Sequence, residues 1–168
     1  PDPAGGIALD GVWFAYVDEH WVLEDVRLAI RPGEKVAIVG ATGSGKTTII
    51  NLLTRFYDVL RGAVRVQGAD VRAVAQRDLR RRVGMVQQEP FIFSGTIASN
   101  ISLEDPSVPR GQIEAAARRV NAHRFVERMP GGYDAAVGER GGSLSAGEKQ
   151  LLALARVLVR NPEVLLVL

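Results

Sequence analysis

Residues 40–47 read Gly-Ala-Thr-Gly-Ser-Gly-Lys-Thr, between a continuously apolar run, Val36-Ala-Ile-Val39, and a stretch with Ile49, Leu52, Leu53 and Phe56 at helical spacing. This order of strand, glycine loop and helix constrains the fold more than any other feature of the chain. It matches G-x-x-x-x-G-K-[ST] at every fixed position, in the context the pattern requires. Glycines let such a loop wrap an anion without Cβ clashes, and the N–H groups that open the following helix point inward at it. On this reading Gly40, Ala41, Thr42, Gly43, Ser44, Gly45, Lys46, Thr47 and Thr48 cradle a phosphate chain. The Lys46 ammonium supplies a point charge for the β- and γ-phosphates, and the Thr47 hydroxyl is placed to ligate Mg²⁺. The bland alternative is a glycine-rich turn before a helix with an accidental lysine.

A chain of 168 residues buries roughly two thirds of its unfolded surface and needs neither disulfides nor a structural metal. It has no cysteine, which excludes a disulfide scaffold and a zinc ribbon. The formal charge is +2, with 18 Arg against 3 Lys, so net charge makes no case for nucleic acid. The only local basic cluster, Arg77, Arg80, Arg81 and Arg82, contains Asp78 and no aromatic residue, as expected of a solvated helix face. No apolar run approaches the roughly 20 residues of a membrane helix, and no signal peptide is visible.

Ile7 to Tyr16 and Val22 to Ile30 are patterned as an antiparallel strand pair, and Lys35 to Val39 as a central strand covered on both faces, entered through the Pro32-Gly33 turn. The helix opened by the glycine loop is expected to close near Asp58 to Gly62. A strand over 63–66, a helix over 76–82 and an apolar strand over 83–86 follow. Segments 96–101, 110–120 and 122–129 read as helices of an insertion, and Ser145 to Val159 as the strongest helix, leading through Asn161-Pro162 into a final strand, Val164 to Leu168.

Ser143-Leu-Ser-Ala-Gly-Glu-Lys-Gln-Leu-Leu152 resembles the L-S-G-G-Q signature of ATP-binding-cassette (ABC) proteins. Other segments agree in order: Phe14-Ala-Tyr16 is similar to the aromatic loop, Val86-Gln-Gln-Glu-Pro90 to the Q-loop, and Asn161-Pro162 with 164–168 to the approach to Walker B. Within the family, Phe93-Ser-Gly-Thr-Ile-Ala-Ser-Asn-Ile101 and Val137-Gly-Glu-Arg-Gly141 resemble the exporter type, the latter its X-loop. The sequence departs from the signature at Ala146, where the family has Gly, and at Glu148, where it has Gln.

The resemblance implies an α/β fold: a P-loop NTPase (RecA-like) core with an antiparallel β subdomain and a helical insertion, incomplete at the C-terminus. Residues 1–6 are expected to be a linker from an upstream transmembrane domain. The β subdomain and core would span 7–88, the Q-loop and helical subdomain 88–143, and the signature helix with the return to the core 144–168. It implies ATP and Mg²⁺ as ligands, an ATPase that powers export at the cytoplasmic face of the membrane, and two partners: a second nucleotide-binding domain, identical or not, and the coupling helices of a transmembrane domain. Nucleic acid and direct membrane insertion are not implied.

It also assigns roles. Tyr16 stacks on adenine; its alternative is a half-buried strand aromatic. Gln88 touches Mg²⁺ and the attacking water, with neighbouring Gln87 as rival and a polar strand end as the plain alternative. Ser145, Ala146, Gly147 and Glu148 face the γ-phosphate held by the partner domain. The same residues also read as an S-x-x-E capping box, and the two readings are compatible. Glu139 contacts the coupling helices or is an exposed loop carboxylate. The family's metal-ordering Asp, general-base Glu and switch His would follow Leu168, so the 168 residues are expected to bind nucleotide and to hydrolyse it poorly; the alternative to an exporter ATPase is a nucleotide-binding, non-hydrolytic fragment or the degenerate half of a heterodimeric ABC protein. His20 and His123 have no partner legible in the sequence, and Asn100-Ile-Ser102 matches a glycosylation acceptor that a domain on the cytosolic side would never have modified.

Overall fold

The computed structural model describes residues 5–18 and 20–168. They form two compact units that divide between Arg80 and Arg81. Most of the expected linker, residues 1–4, lies outside the described residues.

The first unit is built on an antiparallel sheet. β1 (Ile7–Ala15) and β2 (Trp21–Ile30) pair antiparallel with Ile7 opposite Ile30, as their alternation predicts. β3 (Arg61–Val66) lies on the other edge of β1, with Ile7 opposite Val66, and the two-residue β4 (Ala69–Asp70) completes the order β2-β1-β3-β4. β1 is therefore interior, and Leu9, Val12 and Phe14 are buried together with Val64 and Val66 of β3.

Residues 35–39 depart from expectation. They are not a strand but exposed chain without regular secondary structure, and Val39 is 90% accessible. The expectation rested on apolar composition, yet a central strand also needs a hydrogen-bonded neighbour on each edge. Among the described residues no strand pairs with this segment. It leaves the sheet through a turn closed by Glu34 N–H donating to the Arg31 carbonyl (3.1 Å), with the Glu34 carboxylate accepting from Arg31 N–H (2.9 Å).

The helix after the glycine loop is α1 (Lys46–Leu53). It ends earlier than the apolar spacing predicts, and Phe56 is exposed instead of lying on its buried face. The stop is a Schellman motif: Phe56 N–H donates to Asn51 O (2.8 Å) and Arg55 N–H to Leu52 O (3.1 Å), with Arg55 left-handed at φ 53°. Arginine rarely takes that conformation, so no glycine marks the stop. The Arg55 side chain compensates, donating to Asp58 (2.9 Å) and to the Val74 carbonyl (2.9 Å).

α2 (Gln76–Arg82), as expected, leads into the second unit. There β5 (Val83–Val86) pairs parallel with β8 (Val164–Val167), Val83 opposite Val164. The intervening chain holds β6 (Gly95–Thr96), α3 (Ile97–Ser102), α4 (Arg110–Arg119), α5 (His123–Val126), β7 (Ala136–Val137) and α6 (Ala146–Leu158). α5 is half the length expected, and the β6–β7 pair is too short to show in the sequence. The core of this unit packs Ile92, Ile97, Ile101, Ala117, Val126, Leu152 and Ala155. No helix among the described residues is long and apolar enough to cross a membrane.

Candidate functional site

Gly45, left-handed at φ 86°, turns the chain into α1. A Cβ there would stand 2.7 Å from Leu23 Cδ2 and 3.3 Å from the Val22 carbonyl, so the turn both requires glycine and fits against β2. Residues 40–44 are exposed. A Cβ on Gly40 would meet Ser44 Oγ at 2.4 Å, so the loop closes tightly on itself. The start of α1 has no side-chain cap and no acidic residue in its first turn. Its first N–H groups lack intrahelical acceptors, and the helix dipole adds positive potential at that point. Lys46 folds back over the loop, donating from Nζ to the carbonyls of Gly40 (2.6 Å) and Ala41 (2.7 Å) and, at 3.4 Å, to Ser44 Oγ. Thr47 is exposed beside it. Open backbone donors, one ammonium and an exposed hydroxyl are the donor set that a phosphate chain with Mg²⁺ takes up.

Thr48 behaves differently from its neighbours. Its side chain is buried and engaged with Tyr16, Oγ1 lying 3.1 Å from the phenol oxygen. Tyr16 itself is half exposed, one residue past the end of β1. With Val17, His20 and Val22 it lines an open depression of about 370 Å³. His20 Nδ1 lies 3.0 Å from the Asp18 carbonyl.

In the second unit Gln87 and Gln88 are both exposed just after β5. The Gln88 carbonyl lies 3.5 Å from Gln150 Nε2 of α6, a long contact. Three residues on, the chain is locked. Asn100, 1% exposed, accepts from Phe93 N–H (2.9 Å) and donates to the carbonyls of Phe93 (2.8 Å) and Thr96 (3.0 Å). Arg156 of α6 donates to the Asn100 carbonyl (2.8 Å) and the Phe91 carbonyl (2.8 Å). Burial pushes its guanidinium below the usual range. The buried, fully bonded Asn100 is not an accessible glycosylation acceptor.

α6 starts with Ser145 as N-cap, and the capping box forms in full. Ser145 N–H and Oγ–H both donate to the Glu148 carboxylate (2.8 Å each), and Glu148 N–H donates back to Ser145 Oγ (3.3 Å). Ala146 and Gly147 lie in the exposed first turn, and a Cβ on Gly147 would touch nothing within 4 Å. Glu139 is exposed in a short turn over 139–141, where Arg140 has φ 53°. Gly141, at φ 64°, presses on the buried Ile92, 3.1 Å from where its Cβ would stand.

The sequence reading missed three things. The Tyr16–Thr48 contact joins residues 32 apart, and the Arg156–Asn100 contact joins residues 56 apart; neither distance leaves a local pattern. His123 does have partners: Nδ1 lies 2.8 Å from the Tyr133 hydroxyl, and Nε2 lies 2.8 Å from Glu127, one turn on in the same helical stretch.

Comparison with known proteins bears on the family and the fold. A family model described as "ABC transporter" matches residues 23–167. The chain is 44% identical over 163 residues to the putative multidrug export ATP-binding/permease protein YgaD of Bacillus subtilis, covering 96% of this chain and 28% of that protein. It is 42% identical over 166 residues to the fatty acid ABC transporter ATP-binding/permease protein of Mycobacterium bovis, covering 99% of this chain and 26% of that one. It thus spans little more than a quarter of these curated relatives. Among solved structures, a bacterial Atm1-family ABC exporter with ATP bound matches with a TM-score of 0.87 and 42% identity, over 96% of this chain and 28% of that one. The fold class is the P-loop α/β fold of such domains. Motif, fold and relatives agree, and the chain belongs to the ABC transporter family.

Proposed function

We propose that the chain is the ATP-binding domain of an exporter, in which ATP binding and hydrolysis power transport by a larger protein at the cytoplasmic face of a membrane. The observation that carries this reading is the start of α1, uncapped by any side chain, with the Lys46 ammonium resting on the loop carbonyls of Gly40 and Ala41. An ammonium held only by uncharged oxygens exchanges them favourably for phosphate oxygens, because the anion adds a Coulomb attraction that the carbonyls do not supply.

In this reading the N–H groups of 40–48 and the Lys46 ammonium hold the triphosphate, and Tyr16 stacks on the adenine. Thr47 and Gln88 hold Mg²⁺, which supplies charge neutralisation at the phosphates. Ser145, Ala146, Gly147 and Glu148 face the γ-phosphate on a second domain of the same kind, identical or different. Glu139 meets the coupling helices of a transmembrane domain. None of the residues assigned here is a general base, so the chain by itself binds ATP more than it turns it over. Support comes from the family match and from relatives whose names join an ATP-binding part to a permease.

Calorimetric titration with Mg·ATP tests the proposal. Lys46→Ala should weaken binding about 100-fold or more, the loss of charge-assisted bonds to two phosphates. Unchanged affinity in that variant overturns the assignment. The same sample should release phosphate slowly, and robust turnover contradicts the assignment of roles.

A further inference from the structure

We propose that the Tyr16 hydroxyl, not only its ring, serves adenine recognition: Thr48 and Asn51 of α1 anchor it, and both are positioning residues for the base. The inference rests on the reading of Tyr16 as the adenine-stacking residue and goes beyond it.

Tyr16 follows the last residue of β1 and is 48% exposed, where a side chain is ordinarily free to change rotamer. Here it is held on several sides. Its oxygen lies 3.1 Å from Thr48 Oγ1, and Asn51 Nδ2 lies 3.4 Å away, directed as a donor. The ring has two nearly perpendicular aromatic neighbours, Phe14 at 4.9 Å and 89° and Tyr57 at 5.1 Å and 87° between ring centroids and planes. Thr48 is 4% exposed, and the Tyr16 phenol oxygen is the partner of its hydroxyl. Thr48 and Asn51 are spaced i, i+3 and so share one side of α1.

The anchor matters because of where α1 begins. Thr48 is two residues beyond Lys46 and one beyond Thr47. One rigid helix therefore carries the phosphate-binding start and the tether of the aromatic ring. The tether sets the spacing between the base platform and the triphosphate cradle before any nucleotide arrives. Binding then avoids the cost of immobilising a side chain at the moment of recognition. Phenylalanine would preserve the stacking area and lose the anchor, and inorganic tripolyphosphate would occupy the cradle without using the platform.

These differences define the test. The 168-residue chain, with Mg²⁺ present, is titrated calorimetrically with ATP and separately with inorganic tripolyphosphate, and the ratio of the two affinities is read. Tyr16→Phe and Thr48→Val should each lower the preference for ATP about threefold to tenfold, the range for losing one hydrogen bond. The double variant should lower it no further than Tyr16→Phe alone, because that change already breaks the link to Thr48. Thr48→Ser, which keeps the hydroxyl, should restore the ratio. A merely structural role would move the melting temperature without moving the ratio. A ratio within twofold of the parent in Tyr16→Phe, or additive losses in the double variant, overturns the inference while leaving ATP binding intact. If the parent chain binds neither ligand, the nucleotide reading falls and the inference falls with it.

Discussion

α1 enters through Gly45, with no side chain on its free N–H groups and no acid in its first turn, whereas α6 enters through Ser145, with a carboxylate already folded over its start. Both starts present the positive end of a helix to solvent, and both are the places where the family reading puts phosphate. The difference lies in the competition an anion would meet. At α1 it displaces only the Lys46 contacts to loop carbonyls, and it gains the lysine as a partner. At α6 it meets Glu148, which already accepts from Ser145 N–H and Oγ–H. The first start is left open by its own chain, and the second is complete within it. A trans contact from Ser145 to a phosphate therefore has to share or displace the Glu148 carboxylate, a like-charge neighbour.

The glycines at the two starts should respond in opposite directions. Gly45→Ala places a Cβ 2.7 Å from Leu23 Cδ2 on a backbone at φ 86°. The left-handed cost and the overpacking together should remove roughly 2–4 kcal/mol of stability, read as a lower urea midpoint, and take ATP binding with it. Gly147→Ala meets nothing within 4 Å and lies inside α6, so it should gain about 0.5–1 kcal/mol from helix propensity. A Gly45→Ala chain as stable as the parent would mean that the tight turn is not what the sequence pattern protects. A destabilised Gly147→Ala chain would mean that this glycine is kept for the fold and not for close approach by a partner.

The same contrast explains how far the sequence could be read. The helix start at Lys46, α2, the β1–β2 pair and the Ser145 capping box are local patterns, and each formed where its spacing put it. Failures came where structure depends on distant partners or on an unmarked conformation. Residues 35–39 are apolar enough for a central strand yet stay unpaired among the described strands, since a ladder needs neighbours that composition cannot supply. α1 stopped at a left-handed arginine where a glycine would have been the visible signal. The Thr48 side chain meets Tyr16, 32 residues earlier in the chain, a contact that leaves no local pattern and that concerns the hydroxyl, not the backbone N–H the motif assigns to phosphate. The burial of Asn100 under Arg156 was equally illegible, because a three-letter motif carries no information about burial.

The smaller effects at α6 separate capping from catalysis. Ser145→Ala removes the acceptor for Glu148 N–H and the hydroxyl that donates to its carboxylate, and the loss of an N-cap serine costs about 1 kcal/mol. Glu148→Gln should cost only a few tenths of a kcal/mol, because glutamine also closes a capping box and only the favourable charge–dipole contact is lost. Glutamine is also the residue the family signature carries at this position, so the variant keeps the cap while removing the carboxylate charge from the start of α6. Urea unfolding should rank Ser145→Ala well below Glu148→Gln in stability. An equal loss in both would mean that the carboxylate charge, and not the reciprocal hydrogen bonds, holds the start of α6, in which case the contrast with the open start of α1 is one of electrostatics alone.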